Sequence, residues 1–197
     1  MSGIKRVCVY CGSHDGALPE YRQAAERLGQ SLVRRGWGLV YGGGNIGLMG
    51  RLADEMLAGC AEVIGVIPRS LLERELAHGG ATQMIVVESM HERKARMADA
   101  ADAFVTLPGG IGTMEEMFET WTWLQLGFHR KPIGLLDVAG FYQPLLGFLD
   151  DMVARGFLRA AHRECLLTDD DPDRLLDRMS NFVPPNLNRW WPSPERR

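Results

Sequence analysis

Leu107-Pro108-Gly109-Gly110-Ile111-Gly112-Thr113-Met114-Glu115-Glu116 is the stretch on which the reading of the chain turns. An apolar, strand-like run over 103–107 leads into it, and 117–126 has the spacing of a helix. A glycine-rich turn between a strand and a helix leaves backbone N–H groups without acceptors at the positive end of the helix dipole, where phosphate binds well. Three glycines let an anion come close, because no Cβ stands in the way. Glu115 and Glu116 are expected in the first turn. A phosphate site with an acid a few residues on suggests chemistry on a phosphorylated sugar. A second reading stays open beside it: Thr113-x-x-Glu116 is also a capping box, and first-turn acids are common for dipole reasons alone.

Working outward, apolar runs, glycine turns and helix-periodic segments alternate along the chain. Strands are expected at 4–10, 37–41, 63–67 (stopped by Pro68), 84–87, 103–107 and 132–136, with a short last one at 164–167. The spacing predicts helices at 21–35, with Pro19 suited to a first helical position and Gly36 to a C-cap. A second helix carries Leu48, Met49, Leu52, Met56 and Leu57, and others follow at 90–101, 117–126 and 141–155. Residues 69–83 read as a polar loop around Gly79-Gly80, and Asp169-Asp170-Asp171-Pro172 as a helix start. Apolar strands alternating with helices imply an α/β, Rossmann-like, doubly wound parallel sheet with helices on both faces. One domain is expected over 1–183, then an irregular tail over 184–197 that holds Trp190 and Trp191. Ligands of such a fold bind outside the C-terminal strand ends, where Gly12, Gly42 to Gly47 and Gly109 to Gly112 fall.

Composition narrows the function classes. The chain has 197 residues, 46% hydrophobic and 24% charged, which suits a soluble globular domain. A net charge of -3 gives no reason to expect nucleic acid or a membrane as partner. No apolar run approaches a bilayer span, and the N-terminus lacks the apolar core of a signal peptide, so a cytoplasmic location is the default. Cys8, Cys11, Cys60 and Cys165 are too few and scattered for a disulfide framework. Cys8-x-x-Cys11 lies in and just after a strand rather than opening a helix, so the cysteines read as structural. His14, His78, His129 and His162 lack ligand spacing, and no metal is expected.

Gly42-x-Gly44-x-x-Gly47 formally matches a dinucleotide fingerprint, but it follows the second strand, and Glu62 is poorly placed to hold a ribose. A generic nucleotide-phosphate turn fits better. Arg93 and Lys94 open the helix after the fourth strand. They either point into the crevice of Glu116 or form a solvated basic face. Of the three lysines, Lys5, Lys94 and Lys131, only Lys94 lies at the sheet end where a pyridoxal-phosphate Schiff base would form, which disfavours a decarboxylase of that kind.

The pair Met90-x-x-Arg93-Lys94-x-x-Met97 and Pro108-Gly109-Gly110-x-Gly112-Thr113-x-x-Glu116 resembles the LOG ("lonely guy") family, the cytokinin riboside 5′-monophosphate phosphoribohydrolases often mislabelled lysine decarboxylases. The similarity extends through Cys11-Gly12-Ser13, Gly42-Gly43-Gly44-x-x-Gly47-Leu48-Met49-Gly50, Trp123-x-x-Leu126-Gly127 and Lys131-Pro132-Ile133-Gly134-Leu135-Leu136, up to about Val183. It implies a homodimer without a cofactor. The implied reaction is hydrolysis of the N-glycosidic bond of a nucleoside 5′-monophosphate, AMP or a prenylated AMP, to free base and ribose 5-phosphate, an AMP nucleosidase type of chemistry.

The resemblance also implies site residues. Arg93 and Glu116 form the catalytic pair. Lys94, Gly109, Gly110, Ile111, Gly112, Thr113, Met114 and Glu115 line the substrate site, with Glu75 and Thr122 added by alignment. Ile111 stands where an aromatic is frequent, which leaves the backbone cradle intact. On this expectation Glu116 stabilises an oxocarbenium-like ribosyl cation and helps activate water. The amides of residues 110–113 hold the 5′-phosphate, and Arg93 meets either the phosphate or the base. A nucleotide-binding sensor or carrier without turnover is the rival from another class. Such a protein does not need the acid, so the presence of both Arg93 and Glu116 counts against it.

Overall fold

The computed structural model describes residues 3–72 and 77–184. Among them, β1 (Arg6–Tyr10), β2 (Gly38–Tyr41), β3 (Val63–Pro68), β4 (Gln83–Val87), β5 (Ala103–Thr106), β6 (Ile133–Leu136) and β7 (Leu166–Asp169) form one sheet in the order β4-β3-β2-β1-β5-β6-β7. Every pairing is parallel. The chain runs outward from β1 to β4, then returns past β1 to lay down β5. The β1–β5 seam is therefore the topological switch point, where an open α/β sheet leaves a crevice.

The connections are helical: α1 (Pro19–Arg34), α2 (Gly47–Ala58), α3 (Arg69–Leu72), α4 (Met90–Ala100), α5 (Ile111–Leu126), α6 (Gln143–Ala154), α7 (Ala160–Glu164) and α8 (Pro172–Ser180), with a 3₁₀ turn at Val138–Gly140. Alternation along the strands assigns each side chain to a face. Val7 and Val9 of β1 pack with Leu28 and Leu32 of α1, Leu52 and Met56 of α2 and Leu175 of α8. Cys8 and Tyr10 pack with Met97 of α4, Met117 and Trp121 of α5 and Leu146 of α6. This is the doubly wound, Rossmann-like arrangement expected from the sequence. Cys8 and Cys11 are buried on opposite faces, so they form neither a redox pair nor a metal half-site.

Several boundaries differ from expectation. Pro68 ends inside β3, paired with Val87 on the edge strand β4, rather than stopping the strand before it. The last strand lies two residues later than expected, after the short α7. Residues 69–83 include α3 and an antiparallel bridge from Ala77 to Gly44. Asp171 does open α8, accepting from the Arg174 N–H at 3.0 Å with Pro172 at its start. The expected tail from Pro185 onward, with Trp190 and Trp191, lies outside the described residues. Among the described residues no helix is long and apolar enough to cross a membrane.

Candidate active site at the strand ends

The helix after β5 begins six residues before the expected position, at Ile111, with Gly110 as its N-cap and no side chain capping it. Thr113 therefore lies inside the helix and is not the head of a capping box, and the first turn holds no acid. Glu115 and Glu116 fall in the second turn. The Met114 N–H is the one that returns to the Gly110 carbonyl, at 3.1 Å. The amides ahead of it have no acceptor within the helix, and the dipole makes that end favourable for an anion.

The glycines of the motif differ in what surrounds them. A Cβ on Gly109 would stand 2.2 Å from Thr113 Oγ1 and 2.9 Å from the Gly12 nitrogen. Gly110 and Gly112 would meet nothing within 4 Å, so they border open space. Ile111 is 91% exposed, and its side chain plays no part in packing. Two contacts hold the turn in place: Gly12 N–H donates to the Pro108 carbonyl at 3.0 Å, and the Tyr142 hydroxyl donates to the Leu107 carbonyl at 2.6 Å.

A cavity of about 310 Å³ opens here, with Gly109 and Gly110 on one wall. Gly12 to Gly16, Tyr21, Leu48, Pro108 and Phe141 complete it. The sequence reading did not single out Tyr21 or Phe141, because no local pattern brings them to the seam; their rings meet edge to face at 5.9 Å. Arg93 and Glu116 are not among the lining residues of this cavity.

Glu116 is half-buried. On α5 it shares a face with Thr113 and Thr120, three residues before and four after it, and both of these are buried. Thr120 Oγ1 and the Tyr10 hydroxyl share a hydrogen bond of 2.9 Å, which fixes that face over the end of β1. Burial pushes the Cys8 thiol well up, and the Glu116 charge adds to the rise while Arg93 opposes it. Glu116 also raises Tyr10 and Cys11, after burial. The field of the carboxylate thus reaches the end of β1, and that of Arg93 reaches the same thiol.

Arg93 and Lys94 are each only 6% exposed, which removes the solvated basic face as an explanation. Arg93 donates Nε–H to the Val66 carbonyl at 3.1 Å and Nη2–H to the Gly42 carbonyl at 2.8 Å. Lys94 turns toward α5, with Nζ 2.5 Å from Glu115 and 3.0 Å from Glu119. Burial works against its charge, but the two carboxylates hold the ammonium above the ordinary lysine value. Both Lys94 and Glu115 are thus engaged in a tie between α4 and α5. The Lys131 ammonium likewise donates to the Ala98 carbonyl at 2.7 Å.

The remaining expected site residues are dispersed. Met114 is half-buried against the α4–α5 face of the core. Thr122 is exposed, its hydroxyl turned back to the Phe118 carbonyl at 2.7 Å. Glu75 lies outside the described residues. The second glycine run serves contacts within the chain: a Cβ on Gly47 would stand 2.3 Å from the Ser13 carbonyl carbon, and the Leu48 N–H at the start of α2 donates to the Gly12 carbonyl at 3.1 Å.

Comparison with known proteins adds to this geometry. The family described as "Possible lysine decarboxylase" matches residues 49–179. The chain is 48% identical over 183 residues to the cytokinin riboside 5′-monophosphate phosphoribohydrolase LOG of Oryza sativa subsp. japonica, covering 93% of this chain and 76% of the rice protein. It is 45% identical to the LOG7 phosphoribohydrolase of Arabidopsis thaliana, covering 93% and 84% respectively. Among solved structures, the molybdenum cofactor binding protein of Rippkaea orientalis superposes with a TM-score of 0.69 at 19% identity, covering 92% of this chain and 98% of that one. At that identity the likeness concerns the fold alone.

Proposed function

The chain belongs to the family that unites the LOG phosphoribohydrolases with the "Possible lysine decarboxylase" description, and from that premise we propose that it hydrolyses the N-glycosidic bond of a nucleoside 5′-monophosphate. The products are a free base and ribose 5-phosphate. One observation carries the reading: an uncapped helix N-terminus on open space, with a half-buried glutamate in the next turn of the same helix.

The roles follow from the chemistry of the bond. The amides of residues 110–113 hold the 5′-phosphate, and binding energy far from C1′ orients the sugar. As the C1′–N bond breaks, its electron pair leaves with the base and positive charge spreads over C1′ and the ring oxygen. The Glu116 carboxylate faces that charge and accepts a proton from the water that adds to C1′. The departing base takes up a proton from solvent and Glu116 later returns its own to solvent, so that the free base and ribose 5-phosphate leave and the carboxylate is restored. Arg93 supplies a fixed positive charge at the same corner, toward the phosphate or the departing base. The names of the plant relatives suggest a cytokinin riboside 5′-monophosphate as substrate, with AMP and a prenylated AMP the two forms to compare, and the working unit is a cytoplasmic homodimer. The decarboxylase label finds no support in the lysines, since Lys94 is held between two glutamates.

Incubating the purified chain with AMP and with isopentenyladenosine monophosphate tests the reading. Free base from at least one supports it, and no base from either overturns it. Nucleotide that binds without turnover leaves the sensor in its place. Glu116→Gln is expected to lower turnover by about 10²–10⁴-fold, the usual weight of general acid–base groups. Binding should persist, seen as an unchanged shift of Tm by nucleotide. Loss of folding in that variant would return Glu116 to a structural role.

A further inference from the structure

Position 42 has no side chain, and the Arg93 guanidinium occupies the place where one would begin. A Cβ there would stand 2.2 Å from Nη2 and 3.3 Å from Cζ. The backbone does not require glycine at this point: Gly43 and Gly47 have positive φ, whereas Gly42 does not. The obstacle is therefore Arg93, with Met49 Sδ the next neighbour at 3.5 Å. The Gly42 carbonyl accepts from Nη2 and the Val66 carbonyl from Nε, so two edges of one planar group are held by the ends of β2 and β3. Two bonds of this kind fix the plane of a guanidinium; an ammonium, with three rotatable donors on one atom, cannot make the same pair.

We propose that Gly42 is a positioning residue, whose missing Cβ and carbonyl, together with the Val66 carbonyl, form the seat that aims Arg93 toward the corner where Glu116 acts. The catalytic consequence rests on the phosphoribohydrolase reading; the seat does not. A single methyl on residue 42 would displace Nη2 and tilt the guanidinium. The positive charge would remain in the site but point elsewhere.

Four full-length proteins test this: wild type, Gly42→Ala, Arg93→Ala and the double variant, each measured for kcat, KM and Tm. Gly42→Ala should lower kcat at least tenfold and reproduce the kcat-against-KM split of Arg93→Ala. Adding Arg93→Ala to it should cost less than a further twofold. The melting cycle reads the seat without turnover: Gly42→Ala should lower Tm when Arg93 is present and leave it unchanged when residue 93 is alanine. A folded Gly42→Ala protein with kcat within twofold of wild type, or losses that multiply in the double variant, would overturn the proposal. If Gly42→Ala does not fold, recovery of folding in the double variant supports the seat, and failure to recover where Arg93→Ala alone folds refutes it. A wild type without turnover would remove the functional reading, while the melting cycle would still decide the seat.

Discussion

Gly109 and Gly112 lie three residues apart in one motif, yet only the first is held to glycine by its neighbours. A methyl on Gly109 would collide with Thr113 and with the backbone of Gly12, whereas one on Gly112 meets nothing within 4 Å. Gly109→Ala is therefore expected to cost about 1–3 kcal/mol, as overpacking does, and to lower Tm by several degrees. Gly112→Ala should not lower Tm and, alanine being the better helix former, should raise it by up to about 2–4 °C, while raising KM for the phosphorylated substrate, because its methyl would border the amides proposed to receive the anion. Thermal melts and steady-state kinetics on the two variants check the contrast. The sequence shows both positions only as glycine. What separates them is Thr113, folded back over Gly109 by a helix start the sequence does not mark, and Gly12, nearly a hundred residues earlier, which no local pattern brings into view. Arg93 is a similar case: its type and position were legible, but its backbone partners at Gly42 and Val66 were not.

The helix termini share a device. At the end of α1 the Trp37 N–H returns to Leu32 and the Gly36 N–H to Val33, with Gly36 at φ +67. The end of α2 repeats the pair, Ala61 to Met56 and Cys60 to Leu57, but the left-handed position is taken by Cys60 at φ +56. A side chain there costs about 1 kcal/mol that glycine does not. Cys60→Gly should thus raise Tm by about 2–4 °C for a chain of this size, read in a melting curve under reducing conditions. Elements with such endings and a clear apolar period were legible in the sequence. The start of α5 was not, because Gly112 weighs against helix by about 1 kcal/mol and Pro108-Gly109-Gly110 ahead of it makes the segment read as a turn. Packing of Thr113 against Gly109 and the seam overrides that preference. The short α3 and α7, of four and five residues, are below the length at which periodicity is informative.

At the scale of the molecule, α1 and α8 are joined by a lattice of charges. Arg27 meets Asp171 at 2.6 Å, Arg34 meets Asp173 at 2.8 Å, and Arg35 reaches Asp173 and Asp177 at 3.2 and 2.9 Å. Each exposed pair contributes little alone. The bond from the Arg174 N–H holds the Asp171 carboxyl below its ordinary value, helped by the Arg174 and Arg27 charges. Burial pushes Asp169 up, but the Asp171 N–H and the Arg174 side chain outweigh it and bring it down. A carboxylate depressed in the folded state adds stability above its unfolded pKa and loses it as pH falls through the folded one. Burial also lowers His129 and His162, which lose stability from about pH 6.5 downward as the unfolded chain takes up protons first. Tm should therefore hold level near neutrality, slip below about pH 6.5 and fall faster below about pH 4–5. Asp169→Asn should flatten the steeper part of a Tm–pH curve.

The layered sheet was legible because its strands are almost wholly apolar and its turns are marked by glycine. The same frame in a molybdenum cofactor binding protein shows that such legibility stops short of chemistry. The grip of Arg93 on two strand ends bears on how relatives are sorted. A descendant that had abandoned catalysis would still keep this arginine, since removing it would strand two main-chain carbonyls inside the protein. Its survival in a homologue is a record of architecture first, and on the mechanism proposed above the glutamate at position 116 is the better marker for telling working enzymes from retired ones.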